Sequence, residues 1–222
     1  MAAKKTELRI VAGSLRGRKV GCIVHPGLRP TPQMVREALF SILGNAIPGR
    51  IFYDIFAGTG VVGIEAISRG ASRACMIESD ARQAKEIGTH LQRFGIQHQA
   101  QVFRTDSYRW AERWIPAVTG PVNLFLSPPF ADFQPAKVST FLELVRTLLA
   151  KAPQDSVLIL QVEDGFPLND LPDGAALWDI RCYGRNLLCF RVVGEEREFS
   201  PRHKKLAVVT ASATPVPAVE NR

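Results

Sequence analysis

The chain has 222 residues, 46% of them hydrophobic and 22% charged, with 28 Lys and Arg against 21 Asp and Glu. This is ordinary globular composition, and it excludes wholesale disorder, a collagen-like repeat and a coiled coil. The net charge of +7 sits in the first fifty residues, which hold nine basic and two acidic side chains, while the remainder is close to neutral. The longest apolar runs, such as 157–160, are strand-sized, far below the roughly 18 residues that a spanning helix needs. Lys4 and Lys5 are followed by no apolar segment, so a cytoplasmic protein without membrane association is expected. Cys22, Cys75, Cys182 and Cys189 lie in apolar segments without ligand spacing. Buried thiols are expected there, with no metal site.

Two β-prone runs, 8–12 and 19–24, flank Gly13 and Gly17 and predict a basic hairpin. The prolines of Leu28-Arg-Pro-Thr-Pro32 fix an extended entry to a helix over 32–43 that Thr31 can cap. Val35, Leu39 and Ile42 fall at helical spacing, and Arg36 lies on another face. From residue 50 the pattern alternates: strands over 51–56, 73–77, 100–104, 122–126 and 156–162, helices over 61–69, 81–94 and 136–150. Strands that are apolar throughout and separated by helices imply a parallel sheet covered on both faces. The runs 176–183 and 187–193, joined through Gly184-Arg-Asn186, read as an antiparallel hairpin closing it. Three regions are expected: 1–48 as a basic hairpin and connecting helix, 49–198 as the sheet domain, and 199–222 as a disordered tail.

The segment Asp54-Ile-Phe-Ala-Gly58-Thr-Gly60-Val-Val-Gly63 leaves a buried strand, turns through glycines and enters a helix. Such glycines let backbone approach a ligand, and Glu78, twenty residues past Gly58, is placed to bind ribose hydroxyls. A nicotinamide nucleotide and another adenosine-bearing cofactor fit this pattern equally. Asp54 distinguishes them. A pyrophosphate is repelled by a carboxylate beside its loop, whereas S-adenosylmethionine carries an ammonium and a sulfonium and no phosphate. Asp106, after the third strand, reaches the same crevice and can accept from an adenine amino group; as a lone Asp it is also a turn former.

Val122-Asn-Leu-Phe-Leu-Ser127-Pro-Pro-Phe130 ends the fourth strand in two prolines that hold the chain rigidly at the carboxyl edge of the sheet. The loop offers the Ser127 hydroxyl, the Pro128 carbonyl and the Phe130 ring. A planar base amine is a weak nucleophile because its lone pair is delocalised into the ring. Two acceptors holding its protons favour a pyramidal nitrogen aimed at a methyl donor, and stacking on Phe130 is worth roughly 1–3 kcal/mol.

Several runs together carry a family resemblance: Arg9-Ile-Val-Ala-Gly13, Leu15-Arg-Gly-Arg-Lys19, Arg29-Pro-Thr-Pro through Phe40, Asp54 through Gly60, Gly63-Ile-Glu-Ala-Ile-Ser-Arg-Gly70 and Pro128-Pro-Phe130. The chain resembles the RsmD-type methyltransferases of bacteria over roughly residues 8–193. The resemblance implies an α/β, Rossmann-like S-adenosylmethionine-dependent methyltransferase sheet with an N-terminal β-hairpin extension that helps hold RNA. It implies methyl transfer from S-adenosylmethionine to the exocyclic N2 amine of a guanine in 16S rRNA, on free RNA or an assembling small ribosomal subunit. It places the cofactor at Asp54, Phe56, Gly58, Gly60, Glu78 and Asp106, and the chemistry at Ser127, Pro128 and Phe130. Arg9, Arg16, Arg18, Lys19, Arg29 and Arg36 are the expected RNA contacts, and a monomer is the expected state.

One departure stands out. The family usually has an acid before the two prolines, where this chain has Ser127, a position that is Asp, Asn or Ser in the wider class of base-amino methyltransferases. A hydroxyl accepts one amine proton but cannot balance the positive charge that develops on nitrogen. The rate is then lower, a nearby acid assists, or the substrate differs, which opens amino methylation of adenine N6 or cytosine N4. Two further alternatives stand beside it: a weakly catalytic RNA-binding assembly module, and a nicotinamide-dependent oxidoreductase, the last disfavoured by Asp54 and the proline loop.

Overall fold

The computed structural model describes residues 4–24 and 30–199. Arg29 and the segment from residue 200 onward lie outside the described residues. A hairpin of β1 (Lys4–Arg9) and β2 (Lys19–Val24) leads to α1 (Gln33–Leu43). The sheet then builds from β3 (Ile51–Asp54), β4 (Arg73–Glu78), β5 (Ala100–Arg104), β6 (Asn123–Leu126), β7 (Val157–Glu163), β8 (Asp179–Tyr183) and β9 (Asn186–Val192). Its helices are α2 (Val61–Ser68), α3 (Ala81–Phe94), α4 (Ser107–Arg113) and α5 (Val138–Lys151).

Strand order in the seven-stranded sheet is β5-β4-β3-β6-β7-β9-β8, and the first five strands run parallel. The last two pair antiparallel, with β9 inserted between β7 and β8. Strand order reverses direction between β3 and β6, which opens a crevice at the carboxyl ends of the central strands. Alternation along buried β3 sends Phe52 to one face and Ile51 and Tyr53 to the other. The first face packs with Leu39 and Phe40 of α1, Ile64 of α2 and Ile87 and Leu91 of α3. The second packs with Ala111 of α4 and Phe141, Val145 and Leu148 of α5. Each large apolar side chain among these contributes roughly 1.5–3 kcal/mol on burial. The short helix α4 escapes the sequence periodicity because Tyr108, Trp110 and Trp114 pack sideways on Phe56 and Tyr53 rather than along one apolar stripe.

The hairpin is joined to the sheet domain through the same core, since Ile10, Leu15 and Val20 pack in the cluster that holds Phe52 and Ile64. Gly13 makes the closest approach. It has φ +85°, and a Cβ there would lie 1.7 Å from the Ser68 carbonyl oxygen at the end of α2. Ser68 Oγ donates to the Ala12 carbonyl at 2.5 Å and accepts from the Leu15 N–H at 2.9 Å, while the Ser14 N–H donates to the Ser68 carbonyl at 2.8 Å. The loop of the hairpin is thus pinned to the helix that follows the glycine turn.

Two expectations are corrected here. Thr31 does not cap α1: Pro32 occupies the N-cap without a side-chain bond, and Thr31 Oγ1 donates instead to Gln161 Oε1 at 2.8 Å. Arg36 is not available to RNA. It is 1% exposed, with Nη1 donating to the Thr31 carbonyl at 2.7 Å, Nη2 to the Arg9 carbonyl at 2.9 Å and Nε to Glu65 at 3.3 Å. A charge at that depth survives only when fully paired, and its pairing ties β1, the entry to α1 and α2 together.

Candidate active site

A cavity of about 540 Å³ opens at the carboxyl ends of β3, β4, β6 and β7. The glycine turn forms one side. Gly60 takes the left-handed conformation at the start of α2, with φ 72°, and a Cβ on it would meet the Ile87 side chain at 2.9 Å. Gly63, in the first turn of the helix, packs against β4, where a Cβ would meet Met76 at 2.7 Å. The turn therefore combines backbone freedom with close helix-to-strand packing.

Asp54 ends β3 at 1% exposure and lines the cavity. Its Oδ2 accepts from the Gly63 N–H at 3.0 Å. Burial pushes its carboxyl up to about 7, opposed by that hydrogen bond and reinforced by the negative charge of Glu78. Glu78, at the end of β4, accepts from the Gly58 N–H with Oε2 and from the Asp80 N–H with Oε1, each at 2.7 Å. Burial raises its carboxyl as well, and the backbone donors partly offset this. Asp54, Glu78 and Asp80 line the cavity together at the ends of β3 and β4. That wall suits a cationic ligand. A buried carboxylate held above its usual range by desolvation gains most when a positive charge arrives beside it. Asp54, Phe56, Gly58 and Glu78 accordingly fit the S-adenosylmethionine expected from the sequence, with Gly60 shaping the turn they share.

Asp106 is placed differently from these. It is exposed, does not line the cavity and caps α4 by accepting at Oδ1 from the Arg109 N–H at 3.0 Å. Its neighbour Ser107 lines the cavity and donates to the Ile55 carbonyl. Among the described RNA candidates, Arg9, Arg16, Arg18 and Lys19 are exposed. Lys19 pairs with Glu7 at 2.5 Å, and the Arg18 guanidinium lies 5.8 Å from the Phe94 ring centre. Charge on the hairpin is thus available at Arg9, Arg16 and Arg18 and partly neutralised at Lys19.

Ser127, Pro128, Pro129 and Phe130 line the same cavity from the end of β6, the strand next to β3. The Phe130 ring stands edge-on to Phe133 at 6.4 Å, and Phe133 continues edge-on to Phe141 and Phe166. Phe130 is thereby fixed from behind while half-exposed toward the cavity. Behind Phe56, the Tyr108 ring is edge-on at 5.8 Å, and its hydroxyl donates to Asp132 at 2.7 Å.

A third wall was not anticipated from sequence. Gln161, 9% exposed, accepts from Thr31 and donates through Nε2 to Asn186 Oδ1 at 3.0 Å. Thr31, Gln161, Glu163, Arg185 and Asn186 line the cavity together. One signal for it was present: Gln161 and Glu163 are the two polar residues at the end of an otherwise apolar strand.

A glycine turn with two strand-end carboxylates, sharing a cavity with a proline loop at the carboxyl edge of a mostly parallel sheet, defines a Rossmann-like, S-adenosylmethionine-dependent methyltransferase. The family model described as conserved hypothetical protein 95 matches residues 8–192. The chain belongs to that family, the RsmD-type methyltransferases. It is similar to the ribosomal RNA small subunit methyltransferase D of Buchnera aphidicola subsp. Acyrthosiphon pisum, 31% identical over 141 residues, which cover 63% of this chain and 72% of that relative. Among solved structures it is similar to a hypothetical protein of Thermus thermophilus, with TM-score 0.66 and 28% identity over 84% of this chain and 99% of the other. An RNA methyltransferase from Salinibacter ruber, determined with S-adenosyl-L-homocysteine, shares the fold at TM-score 0.53 and 17% identity over 79% of this chain and 98% of the other.

Proposed function

We propose that this protein methylates the exocyclic N2 amine of a guanine in 16S rRNA, acting in the cytoplasm as a monomer on the RNA or the assembling small subunit. The observation that carries the reading is that Asp54 and Glu78 line the same cavity as Ser127, Pro128 and Phe130. The methyl donor and an amine acceptor therefore meet in one enclosed space. S-adenosylmethionine supplies an electrophilic methyl group when bound.

The chain's residues do the rest by positioning and electrostatics. Asp54 and Glu78 favour the cationic cofactor over a pyrophosphate. Phe130 offers its face to the flipped base, which must leave any stack to enter. Ser127 Oγ and the Pro128 carbonyl accept amine protons and hold the nitrogen lone pair toward the methyl group. Arg9, Arg16 and Arg18 grip phosphates from the hairpin, and their share of affinity falls steeply with salt.

Purified protein incubated with labelled S-adenosylmethionine and partly assembled small subunits, naked 16S RNA or duplex DNA tests the reading. Label recovered as N2-methylguanine from an rRNA-containing sample is the expected result. Label recovered as N6-methyladenine or N4-methylcytosine, or only from DNA, refutes it.

A further inference from the structure

The departure at position 127 leaves an amine acceptor without a charged partner, and the end of β7 carries one. In the parallel ladder Leu126 lies beside Leu160, so Ser127, the first residue past β6, follows next to Gln161, which is still paired within β7. Across the antiparallel ladder Glu163 lies beside Asn186. Side chains two apart on a strand share a face, so Gln161 and Glu163 point the same way, and both line the cavity with Ser127 and Asn186. Gln161 is already engaged: its carbonyl accepts from Thr31 and one amide N–H donates to Asn186. Those bonds fix the wall on which Glu163, half-exposed, lines the same cavity.

We propose that Glu163 is the catalytic carboxylate that stands in for the missing acid and selects guanine. This rests on the methyltransferase reading above. Guanine presents N1–H and N2–H side by side, and a carboxylate accepts both at once. Adenine and cytosine present an unprotonated ring nitrogen next to their amine, so the same carboxylate would meet a lone pair and one bond would be lost. A site built on such a bond rejects an analogue lacking it far more strongly than an apolar pocket does. The two protons of N2 then have separate acceptors, one on Glu163 and the other on Ser127 or the Pro128 carbonyl.

In the transfer step, the N2 lone pair forms the new N–C bond with the methyl carbon as the C–S bond breaks. The electron pair of the broken bond stays on sulfur, giving the neutral thioether of S-adenosylhomocysteine. The positive charge now on N2 lies against the Glu163 carboxylate, which takes the surplus proton and releases it to water. Ser127 alone offers no counter-charge for this.

The test uses the full-length protein and 16S RNA carrying either guanine or 2-aminopurine at the methylated position; 2-aminopurine keeps the N2 amine and lacks N1–H. Wild type should prefer guanine by about 100-fold or more in kcat/KM. Glu163→Gln should lose about 100-fold in kcat on guanine, narrow the preference below about tenfold, and keep S-adenosylhomocysteine affinity within about twofold. Adding Ser127→Asp to that variant should recover at least about tenfold in rate, because it returns a carboxylate to the amine. A wild-type rate in Glu163→Gln overturns the proposal, as does a rate loss with the preference unchanged and no recovery; both leave the methyltransferase reading intact. Wild-type protein that binds cofactor but methylates neither RNA overturns both.

Discussion

Arg36 and Glu65 form an ion pair at 3.3 Å in which neither side chain is more than 1% exposed. Glu65 is also held by Arg69, whose Nε and Nη2 donate to Oε1 at 3.1 and 2.8 Å. The Arg69 guanidinium in turn lies 4.8 Å from the centre of the Phe40 ring. Breaking one partner of a buried pair leaves a charge stranded, at a cost of about 3–5 kcal/mol. Arg69 still pairs with Glu65 in Arg36→Met, so unfolding free energy in urea titration should fall by the lower end of that range, about 3 kcal/mol. A stable variant with weakened RNA binding would instead return Arg36 to the RNA-contacting set.

Asp54 makes cofactor affinity depend on pH. Its folded carboxyl lies at about 7, above the 3.8 of the free side chain, so its burial opposes folding increasingly as pH rises from about 4 to about 7. A cationic cofactor favours the ionised form and so lowers this value. Binding should release a proton below pH 7, and affinity should rise with pH and level off above it. Titration calorimetry in two buffers of different ionisation enthalpy reads the proton directly. Asp54→Asn should remove the pH dependence, raise stability at pH 8 and weaken cofactor binding.

The hairpin prediction separates RNA grip from cofactor grip. Replacing Arg16 and Arg18 with Ala should weaken RNA binding and flatten the dependence of log affinity on log salt by about 2, one for each phosphate no longer neutralised. Cofactor affinity, measured on the same preparation, should not change. Loss of cofactor binding in this variant would show that the division of labour between hairpin and sheet is wrong.

Gly13→Ala tests how the hairpin is held. The added methyl collides with the Ser68 carbonyl, and φ +85° is already unfavourable for Ala. A stability loss above about 1 kcal/mol is expected, with RNA affinity falling further than cofactor affinity. Equal losses in both would mean that the hairpin's docking also shapes the glycine turn.

Much of this fold was legible because its signals are local. The apolar strands expected over 51–56 and 122–126 and the glycine turn after the first follow from residue type, and the strands form over Ile51–Asp54 and Asn123–Leu126 with the turn at Gly60. Arg36 was misplaced because its partners include groups on distant segments, at Arg9 and Glu65, and no periodicity reports a partner 29 positions away. Thr31 was misread for a related reason: a Thr before Pro in a helix entry fits a cap, yet its hydroxyl is claimed by Gln161, 130 positions later. Helix α4 was hidden by aromatic residues whose packing is set by Tyr53 and Phe56 rather than by a helical stripe.

The bonds from Thr31 to Gln161 and from Gln161 to Asn186 span 130 and 25 positions of sequence. A chain leaving the ribosome carries the glycine turn with Asp54 and Glu78 well before Asn186 exists. The Asn186 end of the cavity is then the last part that synthesis supplies, because β9 must still enter between β7 and β8. A nascent chain cut short at residue 180 would already carry Gln161 and Glu163 but lack Asn186, and with it the bond that holds the Gln161 amide in place.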